Sequence, residues 1–320
     1  MEIFDDDLNV DVIGFGALNV DKLYSVDQIA SNDEECSILD TNISPGGSAS
    51  NTIIALSKLN VPVSYIGKIG DDSEGELLEY TLAENNVFLN NLIYGVGSSG
   101  KVLGFVDTQG NRALYVDGGV NEDISMGEIN PIIINQAKII HITSMFSKAM
   151  ETQIELMDKL NDKIIVSFDP GMIYAKQGVE AILKILKRTN ILLINEAELK
   201  ILFDDYYSNG EELSFRDIAL RLLDDGIETV IVKRGTKGVY GINKDEEVKI
   251  PIFKVKAIDT TCAGDSFNGG FLYSYLKGYS LEKSCTIGNW LASKSVEGLG
   301  ISALPTIDDL KEFEKEYDKE

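Results

Sequence analysis

Two hydrophobic periods alternate along most of this chain. From about residue 61, short runs rich in valine and isoleucine read as strands: VPVSYIGKIG, AKIIHIT, KIIVSFDPG, NILLIN and ETVIVKRG. Between them, GELLEYTLAENN, METQIELMDKLN, VEAILKILKR, EAELKILF and SFRDIALRLLDDG place apolar residues three and four apart, the spacing of a helix with one buried stripe. Apolar strands separated by such helices predict an α/β fold with a central, mostly parallel sheet and helices on both faces. Ligands of such sheets bind at the carboxyl ends of the strands, so candidate chemistry is sought there. Two regions, about 17–45 and 99–119, break the pattern with period-two alternation, the second around an apparent DTQGN turn. Both predict antiparallel strands that project from the core as a small β lid, within a single domain over residues 1–320. The tail DDLKEFEKEYDKE reads as a solvated last helix or a frayed end.

Composition narrows the function. At 320 residues with 44% apolar content the chain can bury a core, and its net charge of -23 repels nucleic acid and anionic membranes. Any anionic ligand must be held by local donors against that field. Cys36, Cys262 and Cys285 are widely spaced and form no C-x-x-C pair, which fits a reducing cytoplasm. No apolar stretch approaches a membrane span, and MEIFDDDLNV is acidic where a signal peptide is basic, so a cytoplasmic location is expected. His141 is the one histidine, which excludes two-histidine mechanisms; within KIIHIT it reads as a satisfied core or strand-end residue.

Two glycine patterns fail on context. GVGSSG (95–100) matches a dinucleotide fingerprint, and with Lys101 and Val102 nearly a phosphate loop, but KVLGFVD alternates like a strand where a helix is required. A flexible turn between strands is the expectation there. Gly14 and Gly16 follow a strand, yet Asn19 replaces the third glycine and no helix follows.

The most informative segment is DTTCAGDSFNGGF (259–271), a turn of small residues running into a helical pattern. Free N–H groups of Cys262, Ala263 and Gly264 and the positive end of the helix dipole would converge where a transferring phosphoryl group could sit. Asp265 could then take the proton of an attacking hydroxyl; the plainer alternative is a helix cap. DTTCAGD resembles the C-terminal signature D-T-x-G-A-G-D of the ribokinase (phosphofructokinase-B) carbohydrate kinase family. The resemblance implies Asp265 as catalytic base and Cys262, Ala263 and Gly264 as the anion hole. Cys262 departs from the commoner glycine, which is harmless where the turn needs no positive φ. Its thiol, at a helix N-terminus, is expected to be acidified and sensitive to alkylation.

Further motifs agree, in order, across nearly the whole chain. Gly46-Gly47-Ser-Ala-Ser-Asn51 resembles the family's N-terminal G-G-x-x-x-N signature, and Asn19-Val-Asp21 its substrate-binding Asn-x-Asp. Both have plain alternatives, a tight turn and a surface acid. Asn195-Glu-Ala-Glu198 resembles the N-x-x-E motif that handles magnesium and phosphate, with Glu198 acting through water. Lys233, Gly235, Thr236 and Gly238 resemble the segment that packs on ATP, where a hairpin turn is the alternative. Asn289 falls near the family's adenine pocket. Asp259 and Thr261 are implied as a potassium site.

The resemblance therefore implies an ATP- and Mg2+-dependent kinase acting on a sugar hydroxyl, with a nucleoside kinase and a non-catalytic binding relative as alternatives. The strand end IIHITSMF lacks the carboxylate that ribokinases proper bring to ribose, and Met145 and Phe146 there suit a nucleoside base. Phosphorylated sugars would need a Lys or Arg cluster near GGSASN, which is not present. The lid strands, with an apolar face and free edges, are expected to pair two copies into a homodimer.

Overall fold

The computed structural model describes residues 10–207 and 212–317; most of the acidic start, residues 1–9, and the last three residues of the tail lie outside them. In chain order, β1 (Val12–Phe15), β2 (Asn19–Val26) and β3 (Ile38–Gly46) lead to α1 (Ser48–Lys58), β4 (Val63–Ile69), α2 (Ser73–Glu84) and β5 (Leu92–Tyr94). A hairpin of β6 (Gly100–Val106) and β7 (Arg112–Asp117) and a short α3 (Pro131–Ile134) come next. The repeating part follows: β8 (Ile139–Thr143), α4 (Ser147–Met157), β9 (Ile165–Asp169), α5 (Gly171–Gln177), α6 (Val179–Arg188) and β10 (Ile191–Asn195). It continues through α7 (Glu196–Tyr207), α8 (Phe215–Asp224) and β11 (Thr229–Lys233). β12 (Val239–Asn243), β13 (Glu247–Ile250), α9 (Ala263–Leu276), α10 (Leu281–Ser295) and α11 (Ile307–Tyr317) complete the order.

Among the described residues, nine strands form the main sheet in the order β13-β12-β11-β10-β9-β8-β1-β4-β5. From β5 to β11 the pairs are parallel. Only β12, near one edge, runs the other way, pairing antiparallel with both β11 and β13. That edge is a hairpin whose turn holds Gly235 and Gly238, so the plainer reading of that segment describes its backbone. Each inner strand divides its side chains between two cores. In β10, Ile191 and Leu193 pack with α1, α9 and α10, whereas Leu192 and Ile194 pack with α4 to α8. Burial on both faces is why these strands read as continuous apolar runs.

The second sheet has the order β3-β2-β6-β7. Its two outer pairs are antiparallel, while β2 and β6 join in parallel. Opposed residues share a face, which puts Asp21, Val102 and Val116 on one side and Ile43, Leu103 and Tyr115 on the other. The GVGSSG segment is a turn, but a pinned one: Ser99 donates through Oγ to Asp72 at 2.6 Å and accepts from the Gly70 amide at 2.9 Å. No helix among the described residues is long and apolar enough to cross a membrane.

Candidate active site

The site begins with three helices that glycines allow to approach. A Cβ at Gly269 of α9 would meet the Ala55 Cβ of α1 at 2.6 Å, and one at Gly270 would meet the Gly288 Cα of α10 at 3.0 Å. The close crossing sets the first turn of α1 against the first turn of α9. There the Ser48 hydroxyl donates to Asp265 Oδ1 at 2.5 Å, and the Asn51 amide donates to Asp265 Oδ2 at 2.9 Å. Asp265 is therefore held by another helix, not spent capping its own.

Ahead of Asp265 the chain turns sharply. Cys262 caps α9 with φ 64°, in the left-handed region, so the turn does require the positive φ that glycine adopts freely. The thiol also departs from expectation. Burial, with the negative charges of Asp265, Asp21 and Asp259, pushes its pKa up, so it is not acidified; Sγ accepts from Asn51 at 3.2 Å. The amides of Cys262 and Gly264 have no partner among the described residues, while that of Ala263 makes a long 3.4 Å contact with Thr260 O.

Charge around Asp265 is unbalanced. Burial, reinforced by Asp169, outweighs the Ser48 and Asn51 hydrogen bonds and Lys233, and pushes the Asp265 carboxyl up to about 6. Asp21 rises to about 6 as well, through burial and the Asp265 charge, against the Arg112 guanidinium from the lid. Near these amides, Lys233 at the end of β11 donates to Asp169 at 2.7 Å and to Asn268 Oδ1 at 3.2 Å. Asn268 also donates to the same Asp169 oxygen at 2.7 Å. Burial disfavours both charges, but the pairing wins, keeping Lys233 above and Asp169 below their ordinary values. The Lys233 ammonium lies 3.5 Å from where a Cβ on Gly264 would stand.

The remaining sequence candidates fall around this centre. Gly46 backs directly onto Asp21, 2.5 Å from the position of a Cβ, and Gly47 takes φ 117° where any side chain would strike the Ala17 carbonyl. Asn19 Oδ1 accepts from Asn121, which also clamps both backbone groups of Leu18. Asn195 and Glu198 cap one another at the start of α7, and burial with the nearby Asp169 raises Glu198. Both oxygens of Asp259 accept backbone amides, from Thr261 at 2.9 Å and Gly300 at 3.4 Å. Asn289 is buried and its amide nitrogen is taken by the Pro251 carbonyl at 2.6 Å; Thr236 is exposed in its turn. His141 is buried and only half satisfied: Nδ1 pairs with Ser167 at 3.0 Å, Nε2 has no partner among the described residues, and burial lowers its pKa to about 4.

A cavity of about 180 Å³ opens beside Ser48, lined by Asn19 and Gly47 and walled by Val102, Val116 and Phe146. Sequence reading missed Ser48, Asp169, Asn268, Asn121, Glu122 and Arg112. Asp169 carried a usable signal, since it ends an apolar strand where ligands of parallel sheets bind.

The chain resembles known proteins over its length. It is 39% identical over 251 residues to an uncharacterized sugar kinase of Archaeoglobus fulgidus, covering 77% of this chain and 96% of that one. It is 30% identical over 300 residues to a nucleoside kinase of Methanocaldococcus jannaschii, with 93% and 94% covered. An ATP-dependent ribose-1-phosphate kinase of Halopiger xanaduensis is also 30% identical, over 307 residues, with 95% and 98% covered. The crystal structure of ribokinase from Thermotoga maritima superposes with a TM-score of 0.84 at 27% identity, covering 96% of this chain and 99% of that one. The pfkB family carbohydrate kinase model matches residues 11–307, and the chain belongs to that family.

Proposed function

We propose that this chain transfers the γ-phosphoryl group of ATP to a hydroxyl of a sugar, either free or within a nucleoside. One observation carries the reading: a carboxylate held by Ser48 and Asn51 stands at the head of α9, beside two unspent amides, and its partner Ser48 lines an open cavity. The acceptor hydroxyl gives its proton to Asp265 as its oxygen bonds to the γ-phosphorus and the bond to the leaving ADP oxygen breaks. The amides of Cys262 and Gly264, with the α9 dipole, face the charge that develops on the transferring group. Lys233, steadied by Asp169 and Asn268, adds a fixed positive charge below it.

Magnesium fits as an ion held by phosphates and water. Among the described residues no three acidic, histidine or cysteine side chains are grouped to hold a metal directly. Asp169, Glu198 and Asp265 nevertheless outnumber Lys233, leaving negative charge that a cation relieves, with Glu198 acting through water. When bound, the ion would neutralise phosphate charge. Potassium at Asp259 and Thr261 rests on the family resemblance alone; a rate indifferent to added potassium in sodium-free buffer would remove it. Asn195, Gly235, Thr236, Gly238 and Asn289 are proposed on the same resemblance to border ATP.

The nucleoside form has its own support in the apolar cavity wall and in the relative named a nucleoside kinase. A purely binding relative would have no use for a positioned base. We also propose a cytoplasmic enzyme, since its cysteines are free, and a homodimer formed through the lid, where Ile43 and Leu114 are each 53% exposed. The direct test is ADP release over pentoses, hexoses, keto-sugars and nucleosides. Asp265→Asn should retain ATP binding and lower kcat about 10²- to 10⁴-fold, the usual contribution of a positioned base; unchanged turnover would refute the assignment.

A further inference from the structure

The cavity has a second end that phosphoryl transfer leaves unassigned. Its first end, Gly47 and Ser48, belongs to the side of the sheet covered by α1 and α9. The other end is built from the opposite side: Phe146 caps α4, Ile173 lies in α5, and Glu122 comes from the 3-10 turn Gly119–Asp123 packed on α4.

Glu122 is held in place there. Its Oε2 accepts from the Ser147 hydroxyl at 3.0 Å. Ser147 has φ 53°, a left-handed conformation that a non-glycine residue keeps only where its surroundings enforce it, commonly at functional sites. The carboxyl lies against Gly118 on the cavity wall, where any Cβ would collide with it. Oε1 has no hydrogen bond among the described residues, which leaves it open as an acceptor. Around it the cavity is largely apolar, through Val102, Val116, Met145, Phe146 and Ile173, with Asn121, Thr143 and Ser144 among its polar lining, and no Lys or Arg lines it.

We infer that Glu122 is the specificity-determining acceptor for an amino group on the base of a nucleoside whose sugar hydroxyl is presented to Asp265. The inference rests on the kinase reading and narrows its substrate. A planar base offers apolar faces to Phe146, Met145 and Ile173 while its edge donates to Oε1. A free sugar could donate to Oε1 but would set its hydroxylated ring against Phe146, Met145 and Ile173, whose apolar surface a flat base covers better. A sugar phosphate would bring an anion to a carboxylate with no cation beside it. The strand end after β8 lacks an acid, and the 3-10 turn supplies one from another direction.

Calorimetric titration of the purified chain with adenosine, cytidine, guanosine, ribose and ribose 1-phosphate tests this. An amino nucleoside should bind more tightly than ribose or ribose 1-phosphate. Glu122→Ala should weaken the preferred amino nucleoside about 10- to 100-fold, the range for a hydrogen bond to a charged group, and leave its counterpart without the amine within about twofold. For adenosine that counterpart is purine riboside. Glu122→Gln, which keeps an acceptor and the side-chain volume, should recover part of the loss. Tighter binding of ribose or ribose 1-phosphate, or equal weakening of both nucleosides by Glu122→Ala, overturns the inference. Glu122-dependent nucleoside binding without ADP release in the presence of ATP would uphold the contact and refute the kinase reading.

Discussion

At the scale of single residues, Asp265 sets the pH behaviour. A base must be ionised to accept a proton, so kcat/KM should rise with pH through about 6 and level off above it. Lys233→Met removes a charge that favours the ionised form, so the acid limb of a residual rate should move to higher pH; an unmoved limb would separate Lys233 from the base. The stability sign is opposite. The native state binds the Asp265 proton more tightly than the unfolded chain, so its contribution is present at low pH and lost as pH rises through about 6. Asp265→Asn should therefore be more stable than the parent at pH 8, by about 2 kcal/mol in denaturant unfolding, while losing turnover. Cys262 offers a second case. Glycine would relieve its left-handed backbone, and after the added freedom of the unfolded chain Cys262→Gly should gain about 0.5–1 kcal/mol. A lowered denaturation midpoint would show that the Sγ contact with Asn51 outweighs the strain.

At the scale of elements, the site depends on two junctions. One is the crossing of α1, α9 and α10 at Gly269, Gly270 and Gly288, which sets Ser48 and Asn51 against Asp265. The other joins the ends of β9 and β11 to α9 through Asp169, Lys233 and Asn268. Removing one member of a buried ion pair strands the other charge, so Asp169→Ala should cost about 3–5 kcal/mol, read in urea denaturation. Asp169→Asn, which can still accept from Lys233, should cost clearly less. Equal losses would mean that the carboxylate charge is not what steadies Lys233.

At the scale of the whole molecule, the lid stands off the main sheet with apolar side chains exposed on both faces, Leu114 on the side of Asp21 and Ile43 and Tyr115 on the other. On the proposed dimer, sedimentation at micromolar concentration should give twice the chain mass, and Tyr115→Asp should shift it to the monomer. A parent chain that sediments as a monomer would remove that partner. The sequence alone determined the parallel core, because strands buried on both sides and helices with one apolar stripe leave periods that need no knowledge of neighbours. It also singled out Asp265, Asn51 and Lys233, because local motifs around them resemble those of the family. It did not reach Ser48 as a partner of Asp265, 217 residues away, or Asp169 as the partner of Lys233, 64 residues away. Nor could it tell that Cys262 occupies a left-handed turn or that Glu122 enters the cavity from the opposite side of the sheet. Periodicity and spacing record what each segment does with its own neighbours in the chain. Which side chains share a pocket, and therefore which charges raise or lower one another, was decided only when the crossover connections stacked distant strand ends along one edge.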